Sequence, residues 1–253
     1  MKKLLVSLLA VVGLTCSSCR VSAQEGALKD KKVLIVYGGW DGHEPRQCTE
    51  LLKPWLEGEG ADVIVRDNLD AYKDKALMGS IDLVIQTWTM GNITGEQERG
   101  LLEAVRGGVG LAGWHGGLGD AFRNSTEYQF MVGGQWVAHP GGMVDYDVDI
   151  KDKKDPVTKG LKRFHMKSEQ YYMHVDPSVK VLATTTFAAS PEAPWIEGVV
   201  MPVVWKKSYG KGRVFYSSLC HSASDFGVPE AFEIMKRGIR WAVLSREEAA
   251  SDR

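Results

Sequence analysis

The sequence has few of the features that mark special classes of protein. It holds only four cysteines among 253 residues, and neither charge sign dominates. Hydrophobic residues make up 44% and charged residues 25% of the chain, with 28 glycines and 9 prolines. This usage is ordinary for globular proteins and excludes a disulfide scaffold, a collagen-like chain and a disordered chain. The sequence therefore predicts a folded domain with a sizeable core.

An excess of basic charge is also missing. The 31 lysines and arginines are balanced by 32 aspartates and glutamates, and the basic residues form no cluster in the folded part. Proteins that bind nucleic acids or anionic membrane surfaces carry basic patches. We therefore expect no nucleic-acid partner, and a neutral small molecule instead. The oligomeric state is left open.

The first 23 residues resemble an export signal. Two lysines precede the apolar run Leu4–Leu14, which is too short to span a bilayer, and small residues at 21–23 suit a cleavage site. We expect Gln24 to begin the mature chain. The alternative is lipoprotein processing, in which Cys19 or Cys16 becomes the acylated first residue. Both interpretations predict an exported protein, either periplasmic or anchored to a bacterial membrane by an N-terminal lipid.

The rest of the chain divides into a short linker (24–31), one folded domain (32–245) and a C-terminal tail (246–253). Only Cys48 and Cys220 remain in the mature domain, and no Cys/His spacing of a structural zinc site occurs. One disulfide is possible in an oxidising compartment. We favour two unpaired thiols, because these cysteines fall in a predicted helix and at a strand end.

Strand and helix signals alternate through the first half of the sequence. Short apolar runs are typical of strands buried on both faces of a parallel sheet. One helix signal is a capping box formed by Thr94 and Gln97. The predicted strands are 33–37, 61–65, 81–86 and 109–114, and the predicted helices begin at Pro45 and after Thr94.

The second half predicts antiparallel additions. Apolar and acidic residues alternate over 144–150, the period-2 signature of a strand with one wet face. Strands at 203–207 and 213–217 are joined by a Gly-containing turn and read as a hairpin, followed by an amphipathic helix over 229–244. The sequence thus predicts one α/β domain, a three-layer sandwich with a mostly parallel sheet.

Histidines follow several of the predicted strands, where open α/β sheets bind their ligands. His43 lies in the loop after the first strand, His115 directly after the fourth, and His221 after the hairpin. Residues 113–117 (Gly-Trp-His-Gly-Gly) match the sharp strand-to-helix turn that exposes a nucleophile in hydrolases. An imidazole at this turn suits acid–base chemistry or metal binding better than acyl-enzyme formation. The structural alternative is that the glycines only allow close packing.

Tryptophans give an independent indication of carbohydrate. Eight tryptophans are many for this length, and Trp40, Trp88 and Trp114 fall at predicted strand ends. An indole face can stack on a sugar ring, and Asp41 can bind hydroxyl groups. Packing in the core or at a rim is the alternative for any single tryptophan.

Several motifs, in order along the chain, resemble the ThuA-like (trehalose utilisation) family. These motifs are 109–117, 132–140, 155–161, 168–171 and 202–221. The resemblance covers residues 32–244. It implies a flavodoxin-like, class I glutamine-amidotransferase-like fold without the amidotransferase cysteine, and a connection with disaccharide metabolism. The chain departs from the family at Ser168, where we associate the family with the first carboxylate of an acidic pair.

The motif matches indicate five residues for a site, which are His43, His115, His139, Glu169 and His221. His43, His115, Glu169 and His221 are the candidates for catalysis. His115, His221 and Glu169 would also make a His₂-carboxylate set for a divalent metal such as Zn²⁺, provided that three distant segments converge. The residues expected to bind substrate are Trp40, Asp41, Trp88, Trp114, His139 and Tyr171.

The leading hypothesis is an exported enzyme that hydrolyses, isomerises or eliminates across a disaccharide or keto-glycoside. Its chemistry would be His-based acid–base or metal-assisted, without a cysteine nucleophile. One alternative is a non-catalytic carbohydrate-binding module. Another is a degenerate amidotransferase-like scaffold for protein interaction, which predicts an exposed apolar patch over the strand ends.

Overall fold

The computed structural model describes Gly26 and residues 28–244. The predicted export signal, the whole C-terminal tail and part of the linker lie outside the described residues. The described chain forms a nine-stranded sheet and a separate two-stranded sheet. Its strands are β1 (Lys32–Gly39), β2 (Asp62–Arg66), β3 (Leu83–Thr89), β4 (Gly110–Trp114), β5 (Gly134–Ala138), β6 (Met143–Ile150), β7 (Phe164–Glu169), β8 (Tyr172–Val175), β9 (Lys180–Thr186), β10 (Val200–Tyr209) and β11 (Gly212–Ser217).

Helices cover both faces of the large sheet. One core lies beneath the helices Pro45–Gly58 and Pro229–Val243 and contains Leu52 and Ile239, while the other lies beneath the helix Gly95–Gly107 and contains Leu101. None of the helices in the described part of the chain has the length and apolar character needed to cross a membrane. The helices are α1 (Pro45–Gly58), α2 (Lys75–Ser80), α3 (Gly95–Gly107), α4 (His115–Gly119), α5 (Thr126–Val132) and α6 (Pro229–Val243).

The large sheet has a parallel half and an antiparallel half. Its strand order is β2-β1-β3-β4-β11-β10-β9-β6-β7. Neighbouring strands are parallel from β2 to β11 and antiparallel from β11 to β7. Successive residues of β1 enter opposite cores, as Leu34 and Ile35 show, so this strand is buried on both faces. The predicted three-layer α/β sandwich is confirmed.

Local signals are confirmed at several points. Thr94 and Gln97 form the capping box that begins α3, and β10 pairs with β11 as the predicted hairpin. Cys48 and Cys220 are both buried and unpaired, as favoured from the sequence. Among the strand boundaries that differ from the predicted ones, that of β3 matters for the site, because β3 continues to Thr89. Parallel pairing with Gly38 and Gly39 of β1 extends it, so Trp88 lies inside the strand rather than after it.

Candidate functional site

Four side chains from distant segments meet beside the carboxyl ends of the parallel strands. His43 ends the short 3-10 turn after β1, His115 begins α4 directly after β4, and His221 follows β11. Glu169 is the last residue of β7. One ligating nitrogen or oxygen from each residue lies within 4.8 Å of the others. The three histidines share this edge because their strands run parallel.

Glu169 reaches the cluster from the far edge of the sheet. Neighbouring strands lie ~4.8 Å apart, so a flat sheet would hold β7 some ~24 Å from β4, five strands away in the sheet order. The antiparallel half must therefore curl back over the site. The pairing allows this, because only Asp149 and Ile150 at the end of β6 bond to β9, and the rest of β6 pairs with β7.

His115 is held in one orientation at a sharp turn. Its φ of 46° is left-handed, which is the strained strand-to-helix geometry predicted for residues 113–117. Nδ1 lies 2.8 Å from the carbonyl oxygen of Ser218, and a carbonyl only accepts, so Nδ1 carries a proton. The ring of Tyr171 stacks on the imidazole at 3.8 Å between centroids. Burial lowers the pKa of His115 to about 4.

Glu169 lies at the centre of the cluster. Its Oε2 is 3.0 Å from His115 Nε2, 3.2 Å from His221 Nδ1 and 3.8 Å from His43 Nε2. Burial by itself raises the pKa of this carboxyl, but its close contacts with the imidazoles of His115, His221 and His43 outweigh burial and bring the pKa well below its usual range. The hydrogen bond to Glu169 raises the pKa of His221. His221, rather than His115, is therefore the imidazole that holds a proton beside the carboxylate.

His43 closes the cluster on the α1 side. Its Nδ1 lies 2.8 Å from the hydroxyl of Thr89, and its ring is 4.7 Å from that of His115 and 4.9 Å from that of His221. Gly116 is required here, because a Cβ at this position would lie 2.4 Å from the His43 ring. The glycines of the turn therefore do allow close packing, and what packs there is a second imidazole.

Asp225 supports the site and carries no motif in the sequence. Its buried Oδ2 accepts hydrogen bonds from the Ser168 hydroxyl at 2.6 Å and from the His221 backbone N–H at 2.9 Å. Ser168 is the position at which the family resemblance implied the first carboxylate of an acidic pair. In this chain the carboxylate of Asp225, from another segment, lies against Ser168. Only the folded arrangement reveals this pairing, because 57 residues separate the two partners.

Other predicted binding residues surround the cluster. Trp40 is 46% exposed and meets the His43 ring edge-on at 4.7 Å, and Asp41 is exposed beside it. His139 Nε2 lies 3.7 Å from the second oxygen of Glu169. Two buried nitrogens here, Nδ1 of His139 and Nε1 of Trp136, have no hydrogen-bond partner among the described residues. Trp136 was not singled out by the sequence.

Three of the residues expected to bind substrate pack in or against the cores. Trp114 is only 2% exposed and packs edge-on against Phe226 in the core, so it presents no free face to a sugar ring. Tyr171 is also 2% exposed and supports His115 instead of offering a surface. Trp88 packs with the core beneath α3. Because successive side chains of a strand point to opposite faces, Trp88 lies on the face opposite Thr89, the residue that contacts His43.

Comparisons with known proteins agree with this fold. The family model for trehalose utilisation, ThuA, matches residues 32–242. A solved ThuA-like protein from Bacteroides uniformis ATCC 8492 is 20% identical, with a TM-score of 0.73, over 87% of this chain and 94% of that chain. Another from Parabacteroides merdae ATCC 43184 is 18% identical, with a TM-score of 0.66, over 85% and 90%. No curated protein matches this chain. At these identities the solved structures show the fold alone.

Proposed function

Because the chain belongs to the ThuA (trehalose utilisation) family, we propose that it is an exported enzyme that acts on a disaccharide or keto-glycoside. The reaction is hydrolysis, elimination or isomerisation, driven by proton transfer at the sugar. The observation that carries this proposal is the convergence of His43, His115, Glu169 and His221 at one edge of the sheet.

The cluster supplies groups of opposite protonation. Glu169 has a pKa well below its usual range, so it stays ionised and its negative charge holds the proton on the neighbouring imidazole. His221, whose pKa is raised by the same contact, is the group able to donate one. Neighbouring groups with separated pKa values are the usual arrangement for acid–base catalysis. His221 is also the more accessible of the pair formed with His115, with 16% of its side chain exposed against 1%.

The rim of the cluster suits a sugar. A pyranose ring has an apolar face and a set of hydroxyls, which call for an aromatic surface and separate polar groups. Trp40 offers the aromatic surface, and Asp41 lies next to it in the chain. The side chain of His139 is 37% exposed and offers a polar edge for hydroxyls.

Cysteine chemistry has no place in this proposal. Burial raises the pKa of Cys48 to about 12 and that of Cys220 well above its ordinary value. Both thiols therefore stay protonated near neutral pH, and a thiol is a poor nucleophile. This supports an activity different from the cysteine-dependent amidotransferases. Export, to the periplasm or to a lipid anchor, is proposed from residues 1–23 alone.

A substrate screen tests the proposed function. The purified mature chain is incubated with a panel of disaccharides and their keto derivatives, with products detected by NMR and binding measured by calorimetry. We expect turnover of at least one compound. His221→Asn should reduce that turnover ~100-fold or more while binding persists, since proton transfer contributes ~10²–10⁴. The matched control His174→Asn changes an exposed imidazole on β8 and should have no effect.

Two results would reject the proposal. Saturable sugar binding without any product identifies a carbohydrate-binding module. If no compound of the panel is bound or turned over, the result favours a scaffold for protein interaction.

A further inference from the structure

We propose that His43, His115, Glu169 and His221 bind a divalent transition metal ion of the zinc class. Each residue contributes one atom: Nε2 of His43 and His115, Nδ1 of His221, and Oε2 of Glu169. His43 enlarges the three-residue set expected from the sequence. The inference concerns the same side chains as the proposed function, but it does not depend on it, because metal binding requires no turnover.

The spacing of three of these atoms already fits a metal. His115 Nε2, His221 Nδ1 and Glu169 Oε2 form a triangle with sides of 3.0, 3.2 and 3.3 Å. Zn²⁺ binds nitrogen and oxygen at ~2.0–2.1 Å in a tetrahedron, whose ligand atoms are then ~3.3–3.4 Å apart. The triangle therefore has the size of one tetrahedral face. His43 Nε2, 3.8 Å from Glu169 Oε2, completes the set after a movement on the order of 1 Å.

The imidazoles of His115 and His43 are also oriented like those of metal-binding histidines. The Ser218 carbonyl fixes the proton of His115 on Nδ1 and leaves Nε2 directed at Glu169. The Thr89 hydroxyl lies 2.8 Å from Nδ1 of His43 and holds this ring with its Nε2 facing Glu169. Metal-binding histidines almost always use their second nitrogen for such a bond, because it fixes the tautomer and the ring orientation.

Electrostatics favours a cation between these atoms. With its proton on Nδ1, neutral His115 presents the lone pair of Nε2 to a carboxylate oxygen of Glu169, and both groups are buried. Facing lone pairs repel strongly where water is excluded, unless a positive charge lies among them. A divalent ion satisfies every one of these atoms at once, whereas the single proton on His221 satisfies only part of them.

The donor set selects the class of ion. Three imidazole nitrogens and one carboxylate oxygen suit Zn²⁺ and its transition-metal neighbours, while Mg²⁺ and Ca²⁺ prefer oxygen ligands throughout. With these four residues occupied as ligands, His221 no longer serves as the proton donor, and His139 is the neighbouring imidazole left for proton transfer. Its Nε2 lies 3.7 Å from Oε1 of Glu169, the oxygen that the metal does not use.

The experiment measures metal directly. The mature protein is purified without a polyhistidine tag, and its metal content is determined by mass spectrometry. It is then stripped with a chelator and titrated with Zn²⁺ and Co²⁺, with heat and visible absorption as readouts. We expect about one ion per chain, and Co²⁺ absorption bands typical of a low-coordinate nitrogen and oxygen site.

Three variants separate a built site from adventitious binding. His221→Ala removes a ligand and should weaken Zn²⁺ binding at least ~100-fold, while His174→Ala, at an exposed imidazole, should leave it unchanged. Thr89→Val keeps the shape of the side chain but removes the partner of His43, and should weaken binding ~10-fold. Circular dichroism confirms that each variant is folded.

The outcomes distinguish this inference from the proposed function. A wild-type protein with no saturable Zn²⁺ or Co²⁺ binding overturns the metal site, as do equal losses in His221→Ala and His174→Ala. Turnover by such a metal-free protein would leave the proposed function standing. Stoichiometric binding that depends on His221, with no glycoside turned over, supports the metal site and counts against the function.

Discussion

Two places on this molecule bring a histidine against carboxylates at similar distances. In the buried cluster, His115 Nε2 lies 3.0 Å from Glu169. On the outer surface of the β6–β7 hairpin, His165 lies 3.0 Å from Asp145 and 3.4 Å from Asp147. Exposure separates the two, because 1% of the His115 side chain is accessible against 59% of that of His165.

The same pairing has opposite electrostatic consequences in these two places. Hydrogen bonds from its imidazole to Asp145 and Asp147 raise the pKa of His165, whereas burial lowers that of His115 to about 4. Both nitrogens of His165 face carboxylates in water, which screens them. His115 donates a hydrogen bond from Nδ1 to the Ser218 carbonyl, and its Nε2 faces Glu169 in the cluster. Burial and a fixed tautomer, rather than distance, make one pairing a candidate site and the other a surface ion pair.

The largest expected difference is in turnover. Glu169→Gln keeps the size of the side chain but removes the charge that faces three imidazoles, so kcat/KM for the substrate found in the screen should fall ~10²–10⁴-fold. Asp147→Asn makes the matched change beside His165 and should leave kcat/KM within about twofold. Steady-state kinetics of both variants measures the comparison. Equal rates for Glu169→Gln and wild type would reduce the buried cluster to a structural feature.

The sequence predicted the parallel half of the fold and the place of the site. Strands β1, β3 and β4 are short apolar runs with helix signals between them, so a parallel sheet follows from the pattern. Parallel strands have their carboxyl ends at one edge, and histidines after the first and fourth strands therefore had to be neighbours of that edge. The resemblance added Glu169, for which no local pattern argues.

The supporting residues were not predictable from the sequence. Thr89, Ser218 and Asp225 act through hydrogen bonds to residues from other segments, and neither spacing nor composition marks such partners. The curl that brings Glu169 to the cluster depends on how β6 is shared between two partners. The burial of Trp114 was not predictable for a related reason, because a residue at a strand end can point into either the core or the cleft.

The second largest expected difference is in the stability of the fold at acidic pH. In the metal-free protein, His115 has a folded pKa of about 4 against an ordinary value of 6.5. Between these values the unfolded chain binds a proton that the folded chain does not, so stability falls as pH drops from ~6.5 towards ~4. The loss is on the order of 3 kcal/mol, since one pKa unit corresponds to ~1.4 kcal/mol.

Urea unfolding at a series of pH values measures this loss. The lowered pKa of Glu169 acts in the same direction, because its contribution to stability disappears as the pH falls below the ordinary value of 4.5. His115→Asn should therefore flatten the dependence above pH ~4.5 and leave a slope below it. A slope in that upper range that survives the substitution would assign the acid sensitivity to other groups.

The smallest effects belong to the exposed pair. Replacing His165 with Ala removes an imidazole whose contacts are screened by water, so the midpoint of urea unfolding and the Zn²⁺ affinity should both stay within error of the wild-type values.

The direction of the pKa shift nevertheless distinguishes His165 from His115. A raised folded pKa stabilises the fold below the unfolded value and loses that contribution as the pH rises through the folded value. NMR titration of the ring protons should thus give His165 a midpoint above 6.5 and His115 one below it. If the two midpoints coincide, burial does not separate the two histidines, and the contrast between cluster and surface pair fails.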